Sequence, residues 1–173
     1  HGLDSYRRMQ AYIEHLVKLQ NVDLERARLA KEAKALPAQI AQAEADLAAA
    51  QRQAADASAA LSREESLRTR MDREVDGHRK KVAHVRGQLD AVTTPAQAAA
   101  IEHELHFEEQ EIERLENEEY ASLERTEAQE TVLAAARAQV EQLAMTLDRT
   151  RERVAEQQQE LSREQSALQT ERE

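Results

Sequence analysis

From Ala96 to Glu173 the chain runs 78 residues without a single Gly or Pro. An ordinary globular helix ends after about 10–14 residues, so an unpunctuated stretch of this length is a coiled coil or a helical array. No block of about 30–45 residues repeats along it, which argues against a solenoid. Elsewhere Gly stands only at positions 2, 77 and 87, and Pro only at 37 and 95. Nothing resembles a Gly/Ser or Pro-rich linker, and residues 1–173 read as one domain.

Hydrophobic spacing identifies the helix type. Alternate steps of three and four carry an apolar stripe from Ile40 to Val92, interrupted only by Glu64, Arg68 and His78. A second stripe runs from Ala98 to Leu168. Its interruptions include Glu108, Glu119, Ser122, Thr126 and Gln129. Stripes this long and narrow predict supercoiled helices paired along one seam.

Between the stripes lies Val92-Thr93-Thr94-Pro95. A residue before proline is pushed out of the α region, and proline suits the first helical position, which makes Thr94 a natural N-cap. A break this short predicts antiparallel neighbours. The chain is therefore expected to be all-α, a long antiparallel coiled-coil hairpin with its turn near 92–95. Folding about residue 93.5 would pair positions whose numbers sum to about 187. Charge agrees: residues 63–88 hold eight basic and five acidic side chains, and residues 102–130 hold twelve acidic and two basic. Such a match selects partner and orientation in coiled coils. Under the same rule Arg68 faces Glu119 in a register-setting ion pair. Pro37 should kink or break the first arm, since its ring meets the carbonyl four residues back at a cost of about 3 kcal/mol. Helices are expected over about 6–35, 37–91 and 95–171.

Composition closes off several function classes. With no Cys, the chain has no disulfide framework, thiol nucleophile or Cys-ligated zinc of its own. One Phe, three Tyr and no Trp cannot anchor a layered globular core. No run of about 18 apolar residues is long enough for a membrane span, and no signal-peptide pattern opens the chain, as expected of a cytoplasmic protein. His1 is not an initiating residue, and Met9 is the first methionine. The carboxylates from Glu108 to Glu119 could suggest acid/base chemistry. Catalysis needs them in a concave, desolvated pocket, and two paired helices offer none, so no catalytic residue is assigned. His84 and His103 come opposite each other near the turn, but no metal-binding spacing accompanies them, and no metal ligand is assigned. Arg79-Lys80-Lys81 could meet RNA phosphates, yet the net charge of −10 and the lack of stacking aromatics oppose it.

Two surfaces remain as candidates for a partner. At the open end Met9, Tyr12, Ile13, Leu16 and Leu19 form an apolar group at helical spacing, and most of it would overhang the second arm. At the tip stand Val92, Thr93, Thr94, Pro95 and Gln97.

Several short segments carry a family resemblance. Leu19-Gln20-Asn21-Val22-Asp23 resembles an "LQ-x-x-D" start, and Leu36-Pro37-Ala38-Gln39-Ile40 an "LP-x-x-I" kink. Ala100-Ile101-Glu102-His103-Glu104-Leu105, followed by Ile112-Glu113-Arg114-Leu115-Glu116, is similar to the stretch after the turn. Together they resemble bacterial coiled-coil hairpin proteins with a C-terminal C4-type zinc ribbon. That group includes flagellar-regulation proteins that bind an RpoN-type sigma factor. The family's Asn-Lys-Glu-Tyr turn is replaced here by Thr94-Pro95-Ala96-Gln97, and the ribbon's cysteines are missing. The resemblance implies a longer protein, with zinc expected only if a ribbon follows Glu173, and no cofactor in this chain. It also implies a non-catalytic adaptor or chaperone whose partner is a protein such as a sigma factor or a flagellar or secretion component. A structural spacer or dimerisation rod is the competing reading and RNA binding a weaker third. Both monomer and homodimer stay open.

Overall fold

The computed structural model describes residues 2–172. Helix α1 spans Gly2–Gln88, a 3-10 turn covers Leu89–Ala91, and helix α2 spans Pro95–Arg172. Helices α1 and α2 pack against each other as an antiparallel hairpin. No strand occurs among the described residues.

Pro37 does not divide the first arm. Helix α1 continues through it, so the expected separate helices over 6–35 and 37–91 are one element. The ring sits on the exposed face, while Leu36 beside it is 5% exposed. Burial on the inner face holds the helix together across a position where one backbone hydrogen bond is lost.

The turn is built by local side chains. Val92 is extended (φ −72°, ψ 127°) and its N–H donates to the Leu89 carbonyl at 3.2 Å, ending the first arm. The Gln97 N–H then donates to Thr94 Oγ1 at 3.2 Å, making Thr94 the N-cap of α2. Gln97 reaches back in turn, its Oε1 accepting from the Thr93 N–H at 3.0 Å. This is a capping box displaced by one residue.

Packing falls into two compact units. One comprises residues 50–138. Its core joins Met71, Val75 and Leu115, with Leu67 and Ile112 packed around them. The other comprises residues 1–49 and 139–173. There Leu29 and Leu36 meet Val154 and Leu161, flanked by Ala33, Ile40 and Leu168. The seam follows the expected stripes closely. From Ile40 to Val92 every stripe position except Leu89 is withdrawn from the surface.

The register differs from the expected one by three residues. Arg68 meets Ser122, a pair summing to 190, and Val75 and Leu115 share one cluster with the same sum. The reversal is not tight: six residues, 89–94, separate the helices. That displacement moves Glu119 out of reach of Arg68, so the expected Arg68–Glu119 ion pair does not form. His84 likewise bonds Gln88 on its own helix rather than meeting His103.

Candidate interaction surfaces

Three places on the hairpin depart from a plain apolar seam with a charged exterior. The first is a polar layer within residues 50–138. Arg68 donates to Ser122 Oγ at 3.2 Å and to Thr126 Oγ1. Ser122, fully buried, donates onward to Glu64 Oε2 at 2.7 Å. Arg125 closes the network by donating from Nε to Glu64 Oε1 at 2.8 Å and from Nη2 to Oε2 at 3.0 Å. The Arg125 bonds, helped by the Ser122 hydroxyl, hold the Glu64 carboxyl down at about 2. Glu64, Arg68, Ser122 and Thr126 are all among the residues that interrupt the two stripes. The signal was therefore in the sequence; only the register concealed which of them meet.

One helical turn closer to the tip, Glu119 has a different environment. Its Oε1 is buried and accepts no hydrogen bond. Partial burial, and then the neighbouring Asp72 carboxyl, raise its pKa above the ordinary value. Further along, His78 Nδ1 bonds the carboxylate of Glu108, which is 5% exposed. Two more carboxylates of the acidic run meet cross-helix partners, Glu116 with Arg79 at 3.0 Å and Glu109 with Arg86 at 3.1 Å, while Glu111 and Glu118 pair with Arg114 on their own helix. The basic residues that could have met RNA include Arg79, which is engaged here.

The second place is the turn. Thr93, Thr94 and Gln97 are exposed but spend their polar groups on capping, Val92 is half-buried, and Pro95 is exposed. The third is the beginning of α1. Met9 and Tyr12 are each 64% exposed, Ile13 51% and Leu16 45%, while Leu19 is half-buried. Sequence reasoning found these and missed Leu3, Tyr6, Val17 and Leu24, which are exposed too. Their wider angular spread hides them from a search for one narrow stripe. Burial begins at Val22, and Asp23 pairs with Arg172 at 3.1 Å.

Among the described residues no cluster of three or more His, Asp or Glu could hold a metal ion, and no helix is long and apolar enough to cross a membrane. A C4 zinc site needs thiolates, and this chain has no Cys, so zinc does not fit these residues.

No curated protein and no solved structure matches the chain. Residues 19–173 match the model of the CT398-like coiled coil hairpin domain. That match begins within a few residues of the first buried side chain, so the stretch before it lies outside both the matched region and the hairpin's packing. With two antiparallel helices on one heptad seam, and with most of its length matched, the chain belongs to the CT398-like coiled coil hairpin family.

Proposed function

We propose that this hairpin is a non-catalytic protein-interaction module, an adaptor that holds a partner rather than transforming one. The observation that carries the reading is the start of α1. A soluble helix leaving Tyr6, Met9, Tyr12, Ile13, Leu16 and Val17 exposed in succession presents the kind of contiguous apolar surface that marks a contact. Burying one such large side chain is worth about 1.5–3 kcal/mol, so a docked protein would gain substantially there. The turn is the second proposed contact, through Val92, Thr93, Thr94, Pro95 and Gln97. By family resemblance the partner proposed first is an RpoN-type sigma factor or a flagellar or secretion component, in the bacterial cytoplasm.

A purely structural spacer is the competing role, and it has no use for an uncovered apolar face. Fluorescence anisotropy with a purified RpoN-type sigma factor tests the partner. Tyr12→Glu with Ile13→Glu should weaken binding at least about a hundredfold, from two buried anchors lost, with helicity by circular dichroism unchanged. Binding unaffected by these changes and by Thr93→Ala with Gln97→Ala would leave only the spacer.

A further inference from the structure

Apart from Tyr12, the exposed apolar residues at the start of α1 do not continue the hairpin seam. The seam recurs through Val22, Leu29 and Leu36, and through Ala33 and Ile40. Stepped back by sevens, it reaches Leu19, His15, Tyr12, Arg8 and Ser5, a mostly polar series. The exposed residues instead keep a heptad of their own: Leu3, Tyr6, Gln10, Ile13, Val17, Gln20 and Leu24, with Met9 and Leu16 along one edge. This series is rotated by one or two residues, or roughly 100–200° around a 3.6-residue helix. An extension of α2 along the hairpin seam would not cover it.

The sequence of this face is complementary to its own reversal. Turned about the point between Ala11 and Tyr12, Tyr6 comes level with Val17, Ile13 with Gln10, and Met9 close to Leu16. The flanks match as well. Arg7, level with Leu16, comes within two residues of Glu14, about 3 Å along the helix, and by symmetry Glu14 comes as near to Arg7. A parallel pairing would leave Arg7 a full heptad from Glu14 and lose the match. In antiparallel coiled coils the flanking charges choose partner and direction, and a two-fold interface must be complementary to itself.

We infer that the face of α1 carrying Tyr6, Met9, Ile13 and Val17 docks on the same face of a second copy of this chain, antiparallel, making a homodimer. This rests on the reading of the α1 start as a contact surface and names its occupant. The residues concerned precede the family match at Leu19, so the contact is an addition to the hairpin rather than a part of it.

Sedimentation equilibrium from low to high micromolar concentration tests it, with circular dichroism confirming the helix content of every variant. The wild-type chain should approach twice its 19.6 kDa mass. Removing residues 1–8, or changing Ile13→Glu, should return the monomer. R7E and E14R should each weaken the dimer about tenfold, because each sets like charges together at two symmetric places. The R7E/E14R double variant should restore it, a rescue that only reversed pairing provides. A wild-type monomer throughout, or a dimer indifferent to Ile13→Glu or without the rescue, overturns the inference. If that monomer still loses sigma-factor binding on Tyr12→Glu with Ile13→Glu, the adaptor reading stands and only the self-pairing falls. Loss of both removes the surface altogether.

Discussion

Replacing Arg68 by Leu removes the donor that reaches Thr126 Oγ1 from across the seam and leaves the fully buried Ser122 with its bond to Glu64. Glu64 keeps Arg125 and Ser122, so its charge stays paired. The loss is therefore that of a buried acceptor left without its donor, about 1–3 kcal/mol. Part of it returns through the apolar area that Leu adds. For a chain of this size a loss of 1 kcal/mol lowers Tm by about 2–4 °C, and Arg68→Leu should fall by a few degrees. The complete exchange reverses the sign. Glu64→Leu, Arg68→Leu, Ser122→Ala and Thr126→Leu together convert the layer to an apolar one, and such exchanges of buried charge for packing are neutral or stabilising by about 1–4 kcal/mol. Thermal unfolding followed at 222 nm reads both. A single Arg68→Leu variant more stable than wild type, or a fourfold variant less stable than Arg68→Leu, would refute the account of the layer as a connected network.

Three further outcomes follow from the same packing. Ala54→Leu adds volume to a seam where the 190 register sets a small residue, Ala136, opposite. It should cost about 1–3 kcal/mol, measured as a lower urea midpoint. Pro37→Ala restores a backbone hydrogen bond inside a continuous helix and should gain up to about 3 kcal/mol; no gain in Tm would mean the exposed position already tolerates the ring at no cost. The carboxyls make opposite contributions to acid stability. Glu64, held at about 2, contributes stability above the ordinary carboxylate pKa that is lost as pH falls towards 2. Glu119, with its pKa raised, favours the folded state when protonated, and that contribution is lost as pH rises through its folded pKa. Glu119→Gln should therefore raise Tm at neutral pH and shrink that advantage in mild acid, in Tm measured across pH.

Much of this fold could be read directly from residue spacing. The two stripes lie on the seam because a strict alternation of three and four leaves one narrow face to bury, and Thr94-Pro95 signals a helix start by chemistry that acts within one turn. The cross-helix register was not legible to the same precision. It depends on the path of residues 89–94, whose 3-10 turn and extended Val92 add residues without adding helix, and heptad pattern carries no information about that path. Arg68 was consequently identified as a seam residue but assigned the wrong partner. Pro37 shows a different limit: its local penalty is real, yet Leu29 and Leu36 packed against Val154 and Leu161 outweigh it. At the candidate surface Tyr12 and Ile13 stood out as apolar and adjacent, whereas the second heptad through Leu3, Tyr6 and Val17 emerged only once the direction of the buried seam was known.

The capped turn also sets the order in which the hairpin can close. Near it, His78 and Glu108 are 30 residues apart in sequence, whereas Glu44 and Arg151 are separated by 107. Each doubling of an open loop adds about 0.6 kcal/mol of closure entropy, and every layer formed brings the next pair within a few residues of meeting. Zipping outward from Thr94 is thus the low-barrier route, with the pairing of Asp23 and Arg172 its final step. Amide hydrogens near Val22 should exchange sooner than those near Val75 for the same reason. A chain that closes from one end keeps its opposite end the most accessible for longest, and that is the end where the uncovered apolar face begins.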